Sequence, residues 1–355
     1  VKTIIFFLLT SALTFSAMAV NLMPPQPWPK KGPWFEGWYL RLTDSNQQRS
    51  FATIMTSYES NPNQTMDRQK LKGYQALFLD DSKLLTAPLK LEEFPEETSQ
   101  VGAFWQRASA AGPSRLTENS VDLFFADGTR LQIEIGEHKP WSADAGWWGP
   151  SGYLTLLRFF PLQWFVASMG SPSKYKLTIP SKNMVLEGEG SLHIEKNWGK
   201  MFPKAWIWAQ ATSQDHKAHL MLAGGPLHFG PVWVNTYLVG YKTETLDLEF
   251  HVGQFLETEF SSQIDACRGH FTLHSRNSEY SLLIQAQAPR HTFAYLSTPG
   301  PRGYVQKTAI ESFQTDIEVT VRKKGQLIEK RRFQNGALEF GGHFMNCKET
   351  GRPKL

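Results

Sequence analysis

The chain has 355 residues, 41% of them hydrophobic and 20% charged, with a formal net charge of +4 and a mean hydropathy of −0.36. That apolar content excludes a disordered chain, which could not offset its ordering entropy; no internal apolar run reaches the ~20 residues of a membrane-spanning helix. The small net charge gives no case for a nucleic-acid partner, and the surplus that needs explaining is aromatic: 12 Trp, 24 Phe and 10 Tyr, many of them bunched.

The first element is an address. Lys2 supplies a positive start, Ile4 to Leu13 an apolar stretch, and Ala17-Met18-Ala19 a small-x-small cleavage site, which predicts a secretory signal peptide over residues 1–19. Pro24-Pro25-Gln26-Pro27 would stop any helix soon afterwards. The mature protein is expected to be exported, to the periplasm in a bacterium with two membranes. An oxidising compartment allows Cys267 and Cys347 to pair, and two separate thiols are the alternative. No CxxC or His-rich context suggests a metal site.

Next come strands. Val121, Leu123 and Phe125 alternate with other residues, Asp127-Gly128 turns, and Leu131, Ile133 and Ile135 alternate again, which predicts a hairpin. A second hairpin is written as Ile317, Val319 and Val321, a turn at Lys324-Gly325, then Leu327. Further strands are expected over residues 75–79, 174–179, 247–252 and 281–286, and long helices are not. Two tryptophan-rich openings lie about 160 residues apart, Gly32 to Leu40 and Glu195 to Trp208. They suggest a duplicated all-β protein: two tandem antiparallel β-barrels or half-barrels over residues 24–185 and 186–347, each able to enclose a small ligand.

The same segments carry a resemblance. Phe35-Glu36-Gly37-Trp38-Tyr39 resembles the opening motif of the tocopherol cyclase family. Glu195-Lys196-Asn197-Trp198-Gly199, followed by Phe202-Pro203, Trp206, Trp208 and Gln210, is similar to its central signature. Gly152-Tyr153-Leu154 and Phe160-Pro161-Leu162-Gln163-Trp164 resemble the segment before that signature, and Ala337-Leu338-Glu339-Phe340-Gly341-Gly342 the closing motif. The resemblance implies tandem lipocalin-like domains, related to carotenoid hydratases, that bind isoprenoids. It also implies addition of a phenolic O–H across the alkene of a prenylated quinol, giving a chromanol, with no redox cofactor and no metal. An export signal and different turns around the motifs set this chain apart from the plant pattern.

Such a cyclisation protonates an alkene, lets the phenol oxygen attack the tertiary cation, and removes the phenolic proton. It needs a desolvated acid, aromatic faces for the cation, an acceptor for the phenol and exclusion of water. Glu195 and Glu36, set among tryptophans, are the candidate acids; the alternative is a pair of structural ion pairs, Glu195 with Lys196 and Glu36 with Arg41. Asn197 could hold the phenol oxygen or cap a turn, and Lys196 could act on the phenol or pair with an acid. Trp38, Tyr39, Trp198, Phe202, Trp206, Trp208, Gln210 and Glu339 are the candidate substrate-binding residues, with Trp206 and Trp208 on one strand face. Glu311 is a further acid.

Two other clusters read as solvated. Asp215-His216-Lys217-Ala218-His219 is expected to be a polar loop, and Lys323-Lys324 with Lys330-Arg331-Arg332 a basic hairpin edge. No G-x-S-x-G elbow occurs, against a hydrolase. The expected partner is a hydrophobic small molecule, prenylated quinol or other isoprenoid, with peripheral membrane contact possible in principle and the oligomeric state open. A hydratase or isomerase, or a carrier without chemistry, remain as alternatives.

Overall fold

Side chains along a strand alternate between its faces, so a strand buried at every position must be covered on both sides. The computed structural model describes residues 23–25, 33–59, 72–79, 89–95, 104–107, 112–141, 150, 162–229, 232–251, 258–300 and 303–346. The leader-like residues 1–19, Gly152-Tyr153-Leu154, Phe160-Pro161 and Cys347 lie outside the described residues.

The first sheet contains β1 (Trp34–Asp44), β2 (Arg49–Glu59), β3 (Lys72–Leu79), β4 (Leu89–Pro95) and β5 (Trp105–Arg107). It continues with β6 (Ser114–Leu116), β7 (Ser120–Phe124), β8 (Arg130–Ile135), β9 (Leu162–Ile179) and β10 (Met184–Gly199). The second contains β11 (Ala205–Thr212), β12 (His219–Phe229), β13 (Val232–Lys242), β14 (Asp247–Phe250) and β15 (Glu259–Asp265). β16 (His270–Arg276), β17 (Tyr280–Gln287), β18 (Ala294–Gly300), β19 (Gly303–Lys323) and β20 (Gln326–Gly342) complete it.

Both sheets are antiparallel meanders with the same wiring. The spatial orders are β4-β3-β2-β1-β10-β9-β8-β7-β6-β5 and β14-β13-β12-β11-β20-β19-β17-β16-β15, with β18 on β19. In each, the opening strand pairs with the closing strand, and among the described residues the ring is left open after the fourth strand. The protein is therefore all-β, with two tandem lipocalin-like half-barrels. The change of sheet falls between Gly199 and Ala205 rather than near residue 185, because the closing strand β10 returns to pair with β1.

The sequence hairpins form as written. β7 and β8 pair around Gly128, and β19 and β20 around Lys324 and Gly325. Both residues of the second turn have positive φ, +47° and +84°, the conformation a two-residue hairpin needs. Each barrel has its own core: Leu40, Leu42 and Leu192 belong to the first, Ile207, Ala209 and Leu338 to the second. A third core fills the space between the sheets, including Trp164, Val166, Trp206, Trp208 and Phe313. Hence β11 is buried at all eight positions: Ile207, Ala209 and Ala211 face its own barrel, Trp206 and Trp208 the shared layer.

Candidate functional site

The seam of each sheet, where opening and closing strands pair, supplies a wall of the site. In the first, Glu195 on β10 is the Cα partner of Tyr39 on β1. In the second, Glu339 on β20 is the partner of Trp208 on β11. Each seam thus sets a carboxyl opposite an aromatic ring, and the seams face each other: the Tyr39 and Trp208 rings meet edge-on at 5.1 Å. Contacts of this kind contribute roughly 0.5–1.5 kcal/mol beyond area burial.

Between the seams lies a cavity of about 260 Å³, walled by Phe35, Tyr39, Trp164, Phe202, Trp206 and Trp208 among others. Phe202 stacks on Phe35 at 5.4 Å and leans on Trp206 at 5.2 Å. The Trp206 indole lies so close over β20 that a Cβ on Gly341 would fall 1.8 Å from it, so only glycine fits there.

Into this aromatic wall project Glu195, Asn197 and Glu339. Trp208 Nε1 donates to Glu195 Oε2 at 3.0 Å, and His193 Nε2 lies 3.1 Å from the same oxygen. Asn197 Nδ2 donates to Glu195 Oε1 at 3.5 Å. On the second seam, Trp206 Nε1 donates to Glu339 Oε1. An indole N–H can only donate, so both carboxyls are held as acceptors at those oxygens. Burial pushes the Glu339 carboxyl up to about 7, with the charge of Glu195 adding to the shift and the Trp206 bond opposing it. Glu339 keeps some accessible surface because it faces the cavity rather than bulk water.

A third carboxyl sits beside it. Glu311 on β19 is the Cα partner of Glu339 and accepts a hydrogen bond from the Tyr39 hydroxyl at 2.8 Å. Burial, then the charge of Glu339, hold Glu311 well above the usual carboxylate range. Burial and Glu311 likewise raise Tyr39. Burial in this apolar layer thus favours the protonated form of both Glu311 and Glu339.

Of the residues singled out in the sequence, Glu195, Asn197, Tyr39, Phe202, Trp206, Trp208 and Glu339 converge on this cavity. Glu36, Lys196 and Trp198 do not. Period-two alternation turns them to the other face of β1 and β10, into the first barrel. There Lys196 Nζ pairs with Glu36 Oε1 at 2.6 Å and donates to the Pro24 carbonyl at 2.5 Å. It lies 5.0 and 5.3 Å from the Trp38 and Trp198 ring centroids. Burial lowers Lys196 to about 8, with Glu36 opposing the shift. Trp38 touches the cavity wall, but its Nε1 donates to Met23 O at 2.9 Å within the first core.

The ion pair is therefore Glu36 with Lys196, not Glu195 with Lys196 or Glu36 with Arg41. Arg41 instead donates to Gln210 Oε1 at 2.5 Å and Ser50 Oγ at 3.0 Å, placing Gln210 one layer below the cavity. His193 was not among the sequence's site candidates, and Glu311 was named there only as a further acid, with no role. The signal for both was a polar residue on the shared-layer face of an otherwise apolar strand. His219 is not in a solvated loop either: it opens β12 and is 4% exposed.

Comparison with known proteins decides the family. The tocopherol cyclase-like family profile matches residues 148–342, more than half of the chain. The chain belongs to the tocopherol cyclase-like family. A relative named "Probable tocopherol cyclase, chloroplastic", from Oryza sativa subsp. japonica, is 25% identical over 207 residues, 54% of this chain and 42% of that protein. The chain thus spans about two fifths of the curated relative it matches. Among solved structures, CghA superposes with a TM-score of 0.50 at 11% identity over 91% of this chain and 95% of its own, a likeness of fold alone. Kievitone hydratase from Nectria haematococca gives 0.49 at 12% identity over 94% and 95%. The span matched to the tocopherol cyclase-like family takes in Glu195, Asn197, Trp206, Trp208, Glu311 and Glu339, whereas β1 with Tyr39 precedes it.

Proposed function

We propose that this protein closes a ring on a prenylated quinol or phenol by acid–base catalysis, a reading in keeping with the cyclase activity in the name of its rice relative. The observation that carries the reading is that Glu195 and Glu339, one from each seam, line the same aromatic cavity.

In this reading Glu195, hydrogen-bonded to His193, delivers a proton to the alkene and the positive charge develops on the tertiary carbon. The faces of Trp206, Trp208 and Phe202 stabilise that charge by about 0.5–2 kcal/mol each. Asn197 orients the phenol, whose oxygen attacks the cation, and Glu339 takes the phenolic proton. A pKa near 7 suits an acceptor working at neutral pH, since it is ionised often enough to receive a proton and basic enough to hold it. The apolar walls keep water from the cation; water reaching it would give a tertiary alcohol, the outcome of a hydratase.

Incubation of the purified protein with a phytyl- or geranylgeranyl-type quinol, followed by mass and ultraviolet spectra, tests the proposal. A chromanol is expected. A hydrated product would reassign the protein as a hydratase, and tight lipid retention without turnover of any prenyl quinol would make it a carrier. We further propose export, on the leader pattern of residues 1–19; N-terminal sequencing of protein recovered outside the cytoplasmic membrane tests it.

A further inference from the structure

The polar face of β10 does not end at Glu195. Ser191 and His193 precede it on the same face, and on β12 His219 lies in the shared layer; all three are at most 4% exposed. Among the described residues, each has a side-chain atom without a protein partner: Ser191 Oγ, His193 Nδ1 and His219 Nε2. Buried polar atoms are nearly always satisfied, by protein or by an ordered water making two to four hydrogen bonds, so these three atoms are points where water would bind.

A bulge faces these groups. β9 pairs Ser171 with Leu192 and Ser168 with Ile194, so Met169 and Gly170 form an extra loop of strand opposite His193. A Cβ on Gly170 would lie 2.1 Å from the His219 ring and 2.7 Å from Ser191 Oγ, so His219 and Ser191 both pack against this backbone and only glycine fits there. Outward, the layer reaches half-buried His216, whose Nδ1 also lacks a partner, and exposed Lys139, whose backbone is tied to the bulge through Ser168 and Met169.

We propose that Ser191, His193 and His219 line a water-borne proton path that reloads Glu195 from solvent at the far end of the interface. The inference rests on the acid role proposed for Glu195. Water anchored on Ser191 Oγ and His219 Nε2 hands a proton to His193 Nδ1, and the Nε2 proton passes over 3.1 Å to Glu195 Oε2. Glu195 gives one proton to the alkene and regains one from solvent, and the phenolic proton taken by Glu339 returns to solvent, so the cycle closes with no net proton consumed. His219 anchors water rather than carrying charge, since burial holds it neutral, with a pKa pushed down to about 3. Reloading from this side lets the carboxyl regain its proton while substrate or product fills the cavity.

Two measurements test the path. In histidine-labelled protein, NMR cross-relaxation should reveal long-lived water at the His193 and His219 rings, lost in Gly170→Ala; dry rings in the wild type overturn the proposal. In turnover with a prenyl quinol, His193→Phe and Gly170→Ala should lower kcat at least about tenfold. KM should stay within about twofold and the solvent deuterium isotope effect on kcat should rise. A fall in kcat with an unchanged isotope effect assigns these residues to packing and overturns it. Ser191→Ala serves the same purpose if Gly170→Ala does not fold. A wild type inactive on every prenyl quinol fails the cyclase reading, and the water contacts then decide the path on their own.

Discussion

The two faces of β10 carry charge to opposite ends. Glu195 and Lys196 are consecutive and almost equally buried, at 3% and 0% exposure. Yet Glu195 meets Trp208 from the other sheet and opens on a cavity, whereas Lys196 meets Glu36 from the neighbouring strand inside a filled core. A buried charge is thus no mark of function by itself. What separates the two is whether partner geometry leaves an edge facing space for a ligand, and a rotation of one residue along the strand settles that.

The largest effects should split along those faces. Glu195→Gln keeps the shape and hydrogen-bonding capacity but cannot pass a proton, so chromanol formation should fall by about 10²- to 10⁴-fold. Its urea midpoint should stay close to that of the wild type. Lys196→Met should do the reverse: by stranding Glu36 in the first core it should cost about 3–5 kcal/mol in urea unfolding. Adding Glu36→Leu to Lys196→Met should recover much of that loss, since an apolar pair of similar volume has no charge to desolvate. If Lys196→Met unfolds at the wild-type urea concentration while turnover collapses, the comparison breaks and Lys196 belongs to the chemistry.

The acceptor face offers a pH test. Glu339 must be ionised to take the phenolic proton, so kcat should rise as pH increases through about 7, and this limb should vanish in Glu339→Gln. A rate that instead falls through the same range would make Glu339 the proton donor and exchange the two roles. Stability carries its own sign: burial raises the carboxyl above its unfolded value, so its contribution is full at low pH and is lost as pH rises through about 7.

Much of the fold was legible because its signals are local. Alternation and positive-φ turns marked the β7–β8 and β19–β20 hairpins, and the placement of Trp206 and Trp208 on one face follows from period two. Less could be read where the period breaks. β19 runs for 21 residues, but register shifts around Ser312 and Thr315 separate its halves, so alternation marked only the part from Ile317 onward. Glu311 lies in the unread half and reaches Glu339 only through the long hairpin. His193 escaped for a similar reason: the register shifts beside it, and its partner across the bulge is set by β9 rather than by its own neighbours. Glu36 was drawn in with Glu195 because both adjoin tryptophans; which barrel a tryptophan packs into is a property of the pairing β1–β10, absent from either segment alone.

The smallest expected effect separates the two tryptophans that hold the acids. Trp206 and Trp208 share a strand face and each gives one indole N–H to a carboxyl, but to carboxyls of opposite role. Replacing either by Phe keeps an aromatic face for the cation and removes one donor, worth about 1.5–3 kcal/mol when the acceptor is charged. The bond from Trp206 holds the Glu339 pKa down, so Trp206→Phe should move the midpoint of the kcat–pH limb upward from about 7. Trp208→Phe should leave that midpoint in place and lower the plateau instead, because the group it touches is the donor. Equal shifts in both variants would mean that the carboxyls titrate as one unit, and the division of labour between the seams would fail.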